Sequence, residues 1–325
     1  ILKVLGADAS TYKYASQYYT GIVLGAPLII LSFTPSNQLR TEGFANPAMI
    51  GSVLGAVINI ILDPIFISVL GLGAGGAATA SVIGYIFTDA YFTWFLLKRS
   101  KKLSVNPKGF YIKADELKPI FAIGIPASIT NLMQSFGIMM TNRFLLPYGN
   151  EKVAAMGIVM KVNMIAVLVL VGFAFGGQPL IGYNYGANNK KQLKDILTFC
   201  YKFECGLAAV LAVILCVAAK PLIQIFMDQP EIISAGVSML RSQQLGMIFI
   251  AIVLVTTCTF QSAGKASGAF WLSVSRQGLI FAIVIFAASK AIGYDGVIAA
   301  QPVSDFLTAV LAVVLFKKQL GGFFK

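Results

Sequence analysis

Apolar residues in this chain come in long unbroken runs separated by short polar connections. The runs fall at about 17 to 37, 46 to 70, 76 to 97, 118 to 145, 153 to 183, 196 to 219, 236 to 262, 268 to 289 and 296 to 316, each long enough to cross a bilayer as a helix. Membrane strands would alternate apolar and polar residues over shorter stretches, which these runs do not do. The pattern predicts an all-α, polytopic membrane protein of about nine spans.

The first part of the pattern returns about 220 residues further on. Leu24-Gly25 matches Leu245-Gly246, Gly43 matches Gly264, and Ser52-Val53 matches Ser273-Val274. Gly73, Gly76 and Ala80 match Gly293, Gly296 and Ala300. Small residues let helices approach closely and glycines end them, so a duplicated fold keeps these positions while its apolar filler drifts. The expected architecture is therefore two pseudo-symmetric helical lobes. The segments from 118 to about 220 have no partner in the first half, and the chain opens on Ile1. The expectation is a chain lacking about three membrane helices at its start, roughly a hundred residues at the usual span length. On that reading residues 1–97 are the remainder of the first lobe, 98–117 a cytoplasmic linker and 118–325 the second lobe.

Composition agrees, with 57% hydrophobic and 12% charged residues over 325 positions and a mean hydropathy of +0.80. The net charge of +12 changes the picture through its placement. Lys98, Arg99, Lys101, Lys102, Lys108 and Lys113 crowd one connection and Lys190, Lys191 and Lys194 another, while alternate connections carry single lysines such as Lys152, Lys220 and Lys290. This positive-inside pattern puts the basic loops in the cytoplasm and reports topology, with no call for nucleic acid. The linker, with Pro107 and Gly109, is expected to continue as a helix on the membrane surface.

Candidate chemistry is sparse. There is no histidine, the four cysteines are not spaced as a zinc site, and no P-loop is present, so neither an enzyme nor a nucleotide-driven pump is indicated. Ionisable groups at membrane depth remain, because each is costly unless paired or hydrated. Four acids qualify: Asp63, Asp89, Glu204 and Asp305. Asn59 precedes Asp63 by four residues, on the same helix face. An amide and a carboxylate side by side suit Na⁺ or a carboxylate that exchanges a proton. The competing reading is an Asx-Pro pair, Asp63-Pro64, that simply ends a helix. Glu204 reads as an interfacial carboxylate near a helix end, and Arg40, Arg143 and Arg276 as snorkelling or capping cations. Lys161 lies well inside a span.

The run Asn59-Ile60-Ile61-Leu62-Asp63-Pro64, with Gly71-Leu72-Gly73 and Gly76-Ala77-Ala78-Thr79-Ala80-Ser81 after it, resembles the fifth and sixth helices of the multidrug and toxic compound extrusion (MATE) transporters. Leu39-Arg40 with Gly43, Gly124-Ile125-Pro126, Pro179 through Gly186-Ala187, and Gly293-Tyr294-Asp295-Gly296 extend the resemblance over the whole chain, as helices 4 to 12 of that family.

The resemblance implies a secondary antiporter that expels amphiphilic, often cationic, organic compounds in exchange for Na⁺ or H⁺ by alternating access of two lobes. It implies no cofactor beyond the coupling ion, no enzymatic activity, and a monomer in the bacterial cytoplasmic membrane. Carried over residue by residue, one family cation site becomes Asp63, Asn59 and Ser81, with no metal implied beyond Na⁺ at Asp63. Another branch of the family places acids in helices 7 and 10; here helix 7 offers Gln134 and Ser135 and helix 10 offers Gln243 and Gln244, with no carboxylate in either, which counts against a cation site in the second lobe and leaves those amides as candidate substrate contacts. Met133, Met140 and Phe173 are candidates to line an apolar cavity, or are plain helix packing. The alternative within the superfamily is a lipid-linked oligosaccharide flippase, which would line its cavity with several mid-span Arg and Lys.

Overall fold

A computed structural model describes residues 12–99 and 113–324, and these are almost entirely helical. The chain forms two compact units, Ile1–Tyr111 and Ile112–Lys325. Most of the expected surface helix and linker lies outside the described residues.

Three helices make up the first unit: α1 (Tyr12–Thr41), α2 (Ala45–Pro64) and α3 (Gly73–Arg99). Helix α2 does not stop at Asp63-Pro64, as an Asx-Pro terminator would. It runs on through Pro64 into a π-helical turn, Ile65–Val69, and the chain then turns at Gly71 and Gly73, with φ of 65° and 54°. Proline lacks the N–H that would satisfy the carbonyl one turn earlier, and a wider turn accommodates that loss.

The second unit contains α4 (Ala114–Leu145), α5 (Asn150–Gly186), α6 (Lys190–Val217), α7 (Ala219–Gln224), α8 (Pro230–Gln244), α9 (Met247–Ser262), α10 (Ala266–Val274), α11 (Ile280–Ile292) and α12 (Tyr294–Leu320). A second π-helical turn, Ser275–Leu279, joins α10 to α11. Helix α5 is the spine of this unit. Its Ala155, Val159 and Val162 share one core with Ile223, Met239, Phe281 and Val297, and its Ala166 and Leu170 share another with Ala208, Met247 and Ala251.

All nine apolar runs are helical. Seven helices or helix runs among the described residues are long and apolar enough to cross a membrane, and the pair α8 and α9, bent by 48°, makes an eighth. The ninth run is α4, 32 residues long, in which Asn131, Gln134 and Asn142 interrupt the apolar residues. Large exposed apolar side chains, such as Leu24 and Val217 at 77%, are what a lipid-facing surface requires.

The repeat is visible in the helix boundaries. Adding 221 to the last residue of α1 (41) gives 262, the last of α9, and adding it to the first residue of α3 (73) gives 294, the first of α12. Gly43 and Gly264, which match in sequence, both have positive φ, 88° and 67°. A side chain on Gly76 would meet the carbonyl of Phe66 at 2.7 Å, and one on Gly296 would collide with that of Ala288. The repeat is not exact: α1 is continuous through Pro27 and Pro35, whereas its counterpart breaks between α8 and α9.

Candidate functional site

Helices α2 and α3 meet backbone to backbone at Gly55 and Gly84. A Cβ on Gly55 would collide with Thr88 Oγ1 and lie 2.7 Å from the Gly84 carbonyl, and one on Gly84 would lie 2.7 Å from the Gly55 carbonyl. Thr88 seals the crossing by donating to the carbonyls of Gly51 (3.3 Å) and Gly84 (3.1 Å). This is the small-residue packing that lets two membrane helices approach at the backbone.

One turn beyond Gly55 on α2 stands Asn59, and the close crossing puts it against α3. Its amide nitrogen donates to Asp63 Oδ1 at 3.2 Å and to Ser81 Oγ at 3.3 Å. The three residues that the sequence singled out therefore form one half-buried cluster, with Asn59 as the bridge. In this arrangement one amide N–H of Asn59 does what a bound cation would do, presenting positive charge to the carboxylate. A cation held here would use the amide oxygen instead, which requires the Asn59 amide to turn over about its last bond. Among the described residues no group of three or more His, Cys, Asp or Glu side chains is placed to hold a metal ion.

The other candidates are dispersed. Gln243 and Gln244, both buried, close a network with Asn163 of α5. Asn163 Nδ2 donates to Gln243 Oε1 (2.5 Å), Gln244 Nε2 donates to Asn163 Oδ1 (2.9 Å), and Gln243 Nε2 approaches Met156 Sδ (3.3 Å). Gln134 is exposed on α4. Met133 covers Gly278, whose Cβ would meet its sulfur at 2.6 Å, and Met140 packs on the largest core. Phe173 stacks on Phe203, ring centroids 4.3 Å apart, beside a cavity of about 670 Å³ between α5 and α6. Lys161 is exposed.

Two sequence readings are corrected. Glu204 is not interfacial: it is 0% exposed in the middle of α6, because α5 and α9 cover that face. Arg276 neither snorkels nor caps: its Nε sits 3.0 Å from Asp305 Oδ1, and Gln301 donates to the same oxygen at 3.1 Å. Asp89 is also buried, and neither of its oxygens has a hydrogen-bond partner. No local sequence signal marked these burials, which depend on distant helices.

Comparison with known proteins places these features in context. The sequence model of the MatE family matches residues 1–65 and 126–292. The multidrug export protein MepA of Staphylococcus haemolyticus is 29% identical over 315 residues, 97% of this chain and 69% of that protein. An outward-facing multidrug resistance MATE family transporter of the MOP superfamily superposes with a TM-score of 0.91 at 23% identity, over 98% of this chain and 72% of its own. A MOP superfamily transporter from Pyrococcus furiosus, whose reversed binding-pocket polarity suggests a different function for it, gives a TM-score of 0.92 at 24% identity, over 99% and 73%.

Proposed function

Because the chain belongs to the MatE family of multi-pass membrane transporters, we propose that it is a multidrug exporter. On this reading it expels amphiphilic, often cationic, organic compounds in exchange for Na⁺ or H⁺, with Asp63, Asn59 and Ser81 as the coupling site. The observation that carries the assignment is the Asn59 bridge, which ties the carboxylate of α2 to the hydroxyl of α3. A carboxylate held by the Asn59 N–H is poised to exchange it for a cation or to take up a proton, and either event changes what Asn59 donates to. The backbone contact at Gly55 and Gly84 converts that change into movement of one helix against the other, because no flexible side chain lies between them to absorb it.

The division into a first lobe to residue 97, a linker over 98–117 and a second lobe from 118 belongs to the same proposal, with alternating access between the lobes. Gln134, Gln243, Gln244, Met133, Met140 and Phe173 remain the proposed substrate contacts, and a monomer the proposed state. Gln134, as an exposed amide, can meet a ligand with no rearrangement; Gln243 and Gln244 must first give up Asn163.

Drug uptake into everted vesicles tests the coupling site. Asp63→Asn is expected to insert normally and to lose uphill accumulation. Retained accumulation with unchanged Na⁺ and pH dependence would overturn the assignment.

A further inference from the structure

We propose that Glu204 is a proton-exchange site separate from Asp63, reached along a groove between α5 and α6. Its side chain is 0% exposed and neither carboxylate oxygen has a hydrogen-bond partner. The polar side chains around the thiols that it faces are engaged elsewhere. Tyr201 shares a hydrogen bond with Thr256 of α9 at 2.8 Å, and Gln178 of α5 donates to Gln261 of α9 at 2.8 Å.

Among the described residues no positive charge reaches it. The ionisable neighbours of Glu204 are the thiols of Cys200 and Cys205 on its own helix and Cys258 on α9. Lys202 on α6, Lys161 on α5 and Lys220 on α7 are all exposed, and Arg241 of α8 donates to the Cys216 carbonyl, about three turns further along α6. An ionised carboxylate in this position would be buried without a counter-charge, which is strongly disfavoured. The side chain therefore carries a proton in this arrangement. Thiols are poor partners for Na⁺, which prefers hard oxygen ligands, so a proton is the ligand that fits.

A route leads towards it. The cavity of about 670 Å³ is lined on α6 by Gln192, Asp195, Phe199 and Cys200 and on α5 by Gly172 and Gly176, among others. It starts in the first turns of α6, at the Lys190–Lys194 end, and stops at Cys200, one turn before Glu204. The α5 wall of the groove is open: a Cβ on Gly172 or Gly176 would meet nothing within 4 Å. Phe173, Phe199 and Phe203 stack beside it, with the Phe199 and Phe203 centroids 5.7 Å apart. When water enters past these rings, the Glu204 O–H bond breaks, its proton passes to water as hydronium, and the electron pair stays on the carboxylate. The charged form then favours the hydrated, opened packing of α5 on α6, and reprotonation favours the dry one.

The transporter reading bears on what the site is used for, and the proton exchange stands without it. Infrared difference spectra of the purified complete protein, taken between mildly acidic and mildly alkaline pH, test it directly. Expected is a carboxylic C=O band that disappears at alkaline pH, is absent in Glu204→Gln, and persists in Asp63→Asn. Gly176→Leu, which fills the groove, should slow the response of the band to a pH jump at least tenfold and leave its final amplitude unchanged. Retention of every wild-type titrating band in Glu204→Gln, the lack of any titrating band, or loss of the Glu204 band on adding Na⁺ at constant pH overturns the proposal, and an unslowed response in Gly176→Leu overturns the route; a second band from Asp89, also buried and without a hydrogen-bond partner, is recognised by its loss in Asp89→Asn. If Glu204→Gln does not insert, Glu204→Asp must shift the pH at which the band titrates; an unshifted band counts against the assignment. Failure of drug efflux in Asp63→Asn with this band intact would separate the two sites.

Discussion

Arg276 and Asp305, 29 residues apart, meet at 3.0 Å against the backbone where α8 gives way to α9. A Cβ on Gly246 would lie 2.9 Å from the other oxygen of Asp305, and Ser304 donates to the Arg276 carbonyl at 2.9 Å. A π-helical turn, a helix break and a buried acid are thus held by one ion pair.

Removing one partner should therefore cost more than removing both. Arg276→Met leaves Asp305, 1% exposed, without its counter-charge, a loss of roughly 3–5 kcal/mol when a buried pair is broken. The double variant Arg276→Met/Asp305→Leu is expected to be closer to wild type. Thermal inactivation of the detergent-solubilised protein measures both, and equal losses would show that the pair does not hold this region.

The crossing at Gly55 should tolerate no side chain. Gly55→Val places carbon atoms where Thr88 and the Gly84 carbonyl stand, so α2 must move away from α3 and Asn59 from Ser81. Ion-dependent efflux is expected to fall at least tenfold, together with crosslinking between cysteines placed at 59 and 81. Wild-type crosslinking would refute the packing argument.

Within the cluster the effects should be graded. Asn59→Ala deletes both hydrogen bonds and should weaken Na⁺ or H⁺ dependence more than drug binding. Ser81→Ala deletes one neutral bond, a loss of about 1 kcal/mol, and should shift half-saturation by the coupling ion several-fold. Drug affinity in equilibrium binding should stay within a factor of about two. Larger losses in drug affinity than in ion dependence would place the cluster in the drug site.

Topology follows from the charge asymmetry of the loops. A cysteine at position 72, beside Gly71 and half-exposed, should react with an impermeant reagent on intact cells, and one at 190 should react only after permeabilisation. The opposite labelling would invert the orientation.

The Asn163 network predicts a stability effect. Asn163→Leu leaves the buried Gln243 Oε1 without its donor, at roughly 1–3 kcal/mol for an unsatisfied group, while Gln244 Nε2 keeps the Leu240 carbonyl at 3.2 Å. Asn163→Asp keeps an acceptor for Gln244 and should be milder by thermal inactivation; equal losses would argue that the amides rehydrate.

By itself, the sequence determined the helices, the repeat and the core of the Asn59 cluster. Long apolar runs admit one hydrogen-bonding solution in lipid, glycines with positive φ mark the same turns in both copies, and Asn59 and Asp63 share a face because they lie four residues apart on one helix. Ser81 came through the family resemblance, since nothing local ties it to a helix ending seventeen residues earlier. Only the tertiary structure decided which acids are dry and which are paired. The residues around Glu204 look like a helix flank near Lys202, yet α5 and α9 close over its side chain; Arg276 looks like a surface cation, yet α12 brings it Asp305. Burial and pairing of this kind depend on side chains tens of residues away, and a local pattern of apolar and polar positions fixes which face of a helix is turned inwards without fixing what meets it there.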